Sequence, residues 1–183
     1  MTSANLKLQI IREEGEVLEA YPDPLSPLGL SCARQGLRPE AYKRAVGFEH
    51  LDGAPWTIGV GCTGPDIREG VVWTPAESQR QLDQRVAALL HDLDAQLPWW
   101  RELEDARQDV LVIMAYQLGI AGLLKFRTFL RLLAAGRPDL AADEALKSRW
   151  ASQTPERAKR MAAQLRSGAL NPNANLKGTF HGH

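Results

Sequence analysis

Residues 14–23 read Glu-Gly-Glu-Val-Leu-Glu-Ala-Tyr-Pro-Asp, and residues 56–61 read Trp-Thr-Ile-Gly-Val-Gly. In the first stretch an acid stands beside a glycine, and 17–23 then alternates well enough to predict a strand that stops at Pro22. The second stretch, extended to Val60, is predicted as another strand, its glycines marking close backbone approach. Together they carry two carboxylates, Glu14 and Asp23, and the Thr57 hydroxyl. One carboxyl group to protonate a leaving oxygen and a second to activate water is what hydrolysis of a glycosidic bond needs. Taken singly these are ordinary residues: a helix-end carboxylate, a turn aspartate between prolines and a strand threonine. Their order and surroundings make them candidates.

Outward from the strands, helical signals dominate. Ser3 is placed to cap a short helix with Leu6, Ile10 and Ile11 on its inner side, ending near Gly15. Thr74-Pro75-Ala76-Glu77 is a capping box with proline at the first helical position. Behind it Leu82, Val86, Leu89, Leu90, Leu93 and Leu97 keep a helical period up to Pro98. Residues 105–118 become apolar on every side in their second half, as a helix in the middle of a bundle does. Further helices are predicted over 126–135, 139–149 and from Thr154-Pro155 to near Gly168. Between Pro24 and Pro55 the chain is rich in proline and glycine and shows little period beyond a helical turn or two around 38–46. The expected fold is therefore α+β, one domain over 1–183: a small sheet lobe (1–73) with an insertion (24–55), a connecting helix (74–97), a helical lobe (98–170) and a polar tail (171–183).

Composition sets limits on function. The 183 residues hold 22 basic and 22 acidic side chains, so bulk charge predicts no nucleic-acid partner. The first hundred residues carry 9 basic and 14 acidic side chains, the remainder 13 and 8. A mildly basic C-terminal half suits either an anionic polymer such as cell wall or a solvated helix surface. Residues 1–14 have no apolar core of a secretory signal, and no window predicts a membrane span. The expectation is a monomer made in a cytoplasm and exported by other means if its substrate lies outside. Cys32 and Cys62 flank the insertion; two free thiols are favoured over a bridge, and no metal site is expected.

The segment from Arg12-Glu13-Glu14-Gly15 through Tyr21-Pro22-Asp23 to Trp56-Thr57-Ile58-Gly59-Val60-Gly61 resembles the start of the phage-type (T-even) lysozymes, glycoside hydrolase family 24. Asp105-Ala106-Arg107 to Met114-Ala115-Tyr116-Gln117-Leu118-Gly119 looks like that family's buried central helix. Leu146 to Trp150 and Gln153 to Arg160 are similar to its C-terminal signature. Carried over by position, the resemblance makes Glu14 the general acid, Asp23 the base that activates or orients water, and Thr57 a hydroxyl that holds that water. Arg157 matches an arginine that pairs with the acid. Thr63, Tyr116, Phe129 and Glu144 stand where the family lines its sugar cleft. The implied substrate is bacterial peptidoglycan, cut at the MurNAc–GlcNAc bond without cofactor or metal, in the manner of a phage endolysin acting in the periplasm. Threonine is too weak a nucleophile to replace a carboxylate, so the expectation is inversion, with carboxyl groups roughly 6.5–9.5 Å apart.

Two departures stand out. The family joins the residues at Asp23 and Thr57 by a short segment, whereas here 24–56 intervene, and a loop this long is usually functional. The family histidine after Thr-Ile-Gly-x-Gly is Cys62 here, and its acidic partner aligns with Arg85. The rivals are a lytic transglycosylase, which needs one acid and no water, and an inactive wall-binding module built on the insertion, for which the partner is unknown.

Overall fold

The computed structural model describes residues 3–48 and 50–170; the expected tail, 171–183, lies outside them. The order is α1 (Leu6–Glu14), β1 (Val17–Pro22), α2 (Pro27–Arg34), a 3₁₀ helix (Pro39–Arg44), β2 (Trp56–Gly59), β3 (Cys62–Thr63), α3 (Pro75–Gln96), a 3₁₀ turn (Trp100–Glu102), α4 (Asp105–Leu118), α5 (Ile120–Leu123), α6 (Arg127–Ala134), α7 (Pro138–Leu146), α8 (Arg149–Gln153) and α9 (Pro155–Ser167). The chain is α+β and forms two compact units. Glu14–Arg85 makes one; the chain up to Glu13, with the chain from Val86 onward, makes the other.

In the Glu14–Arg85 unit, β1, β2 and β3 form an antiparallel sheet in that order, with Tyr21 opposite Thr57, Pro22 opposite Trp56, and Thr57 opposite Thr63. The two-residue β3 is too short to carry a period and was not expected. On the outer edge of β1, the Ala20 N–H donates to the Val71 carbonyl and the Trp73 N–H to the Leu18 carbonyl, each at 2.8 Å. One face of the sheet is buried: Ala20, Trp56 and Ile58 pack with Leu28, Cys32, Tyr42 and Ala45, all from the insertion. The Tyr42 ring meets Trp56 edge-on at 5.3 Å and Phe48 at 6.2 Å. Burying each large apolar side chain contributes about 1.5–3 kcal/mol. The insertion thus completes the core rather than decorating it. Its helix α2 went unrecognised in the sequence, although Ser26 caps it, accepting the Gly29 N–H at 3.0 Å, and Pro27 opens it. Cys32 is buried, Cys62 is half-buried, and both are free thiols.

Thr74 caps α3 as expected, its Oγ1 accepting the Glu77 N–H at 3.1 Å with 22 helical residues behind it, while the Glu77 carboxylate accepts from Arg80 and Gln81. The other unit is helical. From Val110 to Ala115 every residue of α4 is buried, so the helix has no polar stripe. α4 packs on α9, and α7 packs on α6 and α9. Two polar sutures fasten α4 to α9: Gln164 Nε2 donates to the Ala106 carbonyl, and Arg107 Nε to the Leu165 carbonyl, each at 2.8 Å. The single helix expected over 139–149 is two, α7 and α8. Ser148 separates them because its Oγ accepts the Ala151 N–H at 3.2 Å and starts a new helix. No helix among the described residues is long and apolar enough to cross a membrane.

Asp109, on α4, is fully buried and receives the start of the chain: its Oδ1 accepts the Ser3 N–H at 3.0 Å, and its Oδ2 accepts Ser3 Oγ–H and Gln9 Nε2. Burial pushes this carboxyl above the usual aspartate value of 3.8 despite those donors, with Asp105 adding to the rise. A carboxyl raised in the fold gives stability that is present below its unfolded pKa and lost as pH rises through its folded pKa. We expect wild-type stability relative to Asp109→Asn to fall between pH 4 and pH 7, measured as urea midpoints at the two pH values.

Candidate active site

Thr57 lies in the middle strand, directly opposite Tyr21 on one side and Thr63 on the other. Opposite residues of an antiparallel ladder point to one face with Cβ atoms about 4.5–5.5 Å apart. Tyr21, Thr57 and Thr63 therefore make a row of three hydroxyls across the face that the insertion core leaves uncovered. Asp23 follows β1 immediately, and Glu14 ends α1 at Gly15, whose φ of +79° turns the chain towards β1. Burial pushes the Tyr21 phenol above 10, and the charges of Glu40, Glu14 and Asp23 push the same way, in that order. Both candidate carboxylates thus act on one hydroxyl in the row.

Asp23 is held at its backbone and at one carboxylate oxygen. Its N–H is shared between the carbonyls of Gly53 (3.1 Å) and Pro55 (3.0 Å), and its own carbonyl accepts the Ser26 N–H (3.0 Å) and Oγ–H (2.7 Å). Its Oδ1 accepts the Leu25 N–H at 2.7 Å. α2 presses on this turn so closely that only glycine fits at 29. Thr63 lines two adjoining cavities of about 400 and 430 Å³, the first with Cys62, Gln81, Gln84 and Arg85, the second with Trp73, Asp66 and Glu77 among others. Arg85 lines the first of these cavities together with Cys62 and donates from Nη1 to the Gly61 carbonyl at 2.7 Å. A guanidinium-to-carbonyl bond occupies the place where the resemblance implies a histidine–acid pair.

The remaining expected residues fall in the other unit. Arg157 donates from Nε to the Glu13 carboxylate at 3.3 Å and from Nη2 to the Glu13 carbonyl. Arg160 grips the same carboxylate with two bonds, at 2.9 and 2.6 Å, and Glu13 in turn raises the Arg160 guanidinium. The Glu13 side chain is 3% exposed, so this is a buried ion triad at the residue before Glu14. Phe129 and Glu144 come together: both line a cavity of about 320 Å³ with Lys125, Arg127 and Lys147. Phe129 is nonetheless buried, packed edge-on against Phe126 at 6.3 Å. Tyr116 is buried on α4 and is not part of that cavity's lining. Sequence reasoning passed over Tyr21, Ser26, Gly29 and Glu13. Only Tyr21 had a readable signal, standing near the end of the expected strand two residues before Asp23.

The family model described as phage lysozyme matches residues 33–166, a span that contains Thr57 and begins after Glu14 and Asp23. A probable T4-type lysozyme 1 of Dictyostelium discoideum is 31% identical over 92% of this chain and 97% of its own length. The pre-baseplate central spike protein Gp5 of Enterobacteria phage T4 is 36% identical over 87% of this chain and 27% of its own, and an endolysin of Bacillus phage B103 is 34% identical over 67% and 44%. The chain thus spans nearly all of the first relative and less than half of the other two.

A Cβ added at Gly29 would lie 2.1 Å from the Asp23 carbonyl oxygen and 2.9 Å from two Pro24 backbone atoms, none of which can swing aside. Gly29→Ala is expected to lower the unfolding free energy by about 1–3 kcal/mol in urea titrations. Gly64→Ala, where a Cβ would meet nothing within 4 Å, is the control and should shift far less.

Proposed function

The chain belongs to the phage lysozyme family, and on that premise we propose that it is an inverting N-acetylmuramidase that cuts the β-1,4 bond between N-acetylmuramic acid and N-acetylglucosamine in bacterial peptidoglycan. Family membership makes it a glycoside hydrolase of the lysozyme type. The observation that carries the finer reading is the ladder pairing of Thr57 with Tyr21, which sets a hydroxyl on the sheet face next to Asp23.

In this reading Glu14 is the general acid and donates its proton to the leaving glycosidic oxygen. Asp23 is the base. Its Oδ1 is oriented by the Leu25 N–H, and a carboxylate has acceptor sites left over for a water proton. Thr57 both donates and accepts, so it can hold that water in line while remaining too weak a nucleophile to displace the sugar itself. Attack by water on the face opposite the leaving group inverts the anomeric carbon, and room for that water requires carboxyl groups roughly 6.5–9.5 Å apart. Thr63, Tyr116, Phe129 and Glu144 are read as glycan contacts and Arg157 as the cation that steadies the acid. The setting we read is that of a phage endolysin, a monomer acting on the periplasmic wall at the end of infection.

Turbidity of chloroform-treated Gram-negative cells tests the chemistry. Glu14→Gln and Asp23→Asn should each clear cells at least a hundredfold more slowly than the wild type, the range expected when an acid or base is removed. Equal clearing by the wild type and Glu14→Gln would sink the acid assignment. Proton NMR of early product should show the α-anomer; a β-anomer rejects inversion, and a 1,6-anhydro sugar identifies a transglycosylase.

A further inference from the structure

The helical unit sorts its cations by place. Arg101, Arg107, Arg157, Lys159, Arg160 and Arg166 all lie in ion pairs. The stretch 125–149 differs: among the described residues Lys125, Arg127, Arg131, Arg137, Lys147 and Arg149 form none. Three of them, Lys125, Arg127 and Lys147, line the cavity of about 320 Å³ where the start of α6 meets the end of α7. All three are exposed, and the half-buried Glu144 is the one carboxylate among the described residues that line it. Glu144 and Lys147 are three residues apart, a spacing at which opposite charges on a helix usually meet, yet they are not paired. The cavity keeps an excess of positive charge.

Local electrostatics account for only one of the three cations. Lys147 caps the C-terminal end of α7, where the helix dipole favours positive charge. Lys125 and Arg127 stand at the opposite kind of end. They flank Phe126, the N-cap of α6, and the first turn of that helix holds no acid and receives no side-chain cap. A helix N-terminus is itself partly positive, so cations there cost stability. Two cations kept against that cost, with a third across the same cavity, suit a space that an anion fills.

We propose that this cavity is an anion-binding subsite, in which Lys125, Arg127 and Lys147 take a carboxylate of the peptidoglycan strand. The inference rests on the lysozyme reading and adds to it a group that the sugar ring does not supply. Arg127 can hold a carboxylate through two parallel N–H donors, and charge-assisted bonds of this kind are roughly twice as strong as neutral ones. Glu144 then serves an amide N–H next to that carboxylate. Peptidoglycan offers the carboxylate in two places, the stem peptide and the lactyl group of a muramic acid stripped of its peptide.

The test measures Kd by fluorescence anisotropy of labelled strands, in a Glu14→Gln background that keeps them intact. Four preparations of one wall are titrated: peptide-bearing or peptide-free, each with its carboxylates free or amidated. The parent should bind a free-carboxylate preparation about three- to fivefold tighter than its amidated partner, the range exposed ion pairs allow. Adding Lys125→Gln and Arg127→Gln should erase that preference and leave the melting temperature unchanged or raised. Adding Arg137→Gln and Arg149→Gln instead removes the same charge outside the cavity lining, and the preference should persist. A preference within the peptide-free pair assigns the lactyl carboxylate; one confined to the peptide-bearing pair assigns the stem. No preference in the parent, or equal loss in both double variants, overturns the proposal. Clearing of cells by the wild type decides the lysozyme reading separately, since Kd is read without turnover.

Discussion

The backbone of Asp23 is the point on which the Glu14–Arg85 unit closes. The chain leaves it, makes α2 and a 3₁₀ helix, and comes back so that the carbonyls of Gly53 and Pro55 accept the N–H of the residue it left. Ser26 secures the outgoing side through two bonds to the Asp23 carbonyl, and the Leu28 N–H meets the Asp52 carbonyl at 3.0 Å where the two limbs pass. Closing a loop of this length costs entropy that grows only slowly with each added residue. The buried contacts of Leu28, Cys32 and Tyr42 on Trp56 and Ile58 offset that cost. A long detour between two strands can therefore leave their pairing intact, and Thr57 still meets Tyr21.

The same economy of position appears at the end of α1. Glu13 and Glu14 are consecutive, so they leave the helix about 100° apart. Glu13 is buried between Arg157 and Arg160, and both guanidinium groups pair with its carboxylate. Glu14 is half-buried and keeps more of its contact with solvent. The Glu13 carboxylate fastens the end of the helix within its unit. On the 3₁₀ helix Lys43 pairs with Glu19 of β1.

Much of the helical framework was legible residue by residue. The Thr74 cap and the all-round apolar second half of α4 are local signals, and local signals survive folding. What escaped notice was set by neighbours distant in sequence. α2 hides in a Pro- and Gly-rich stretch because its Pro27 and Gly29 answer a cap and a close approach to Asp23. β3 exists only because β2 lies beside it. Ser148 reads as one more polar residue in a helix until its hydroxyl is seen to start another. The site followed the same division: resemblance pointed to Glu14, Asp23 and Thr57, while the row from Tyr21 to Thr63 required the register of the sheet.

By itself the sequence determined which residues could do acid–base chemistry, where the long helices start and stop, and to which family the chain is related, since residue type, capping and periodicity are properties of short segments. Tertiary structure decided that the insertion becomes core, that Asp23 is clasped by it, that Arg85 bonds to Gly61, and that Lys43 pairs with Glu19. Each of these is a meeting of segments whose separation along the chain no short-range pattern encodes. Only packing and hydrogen-bond satisfaction across the folded unit select them.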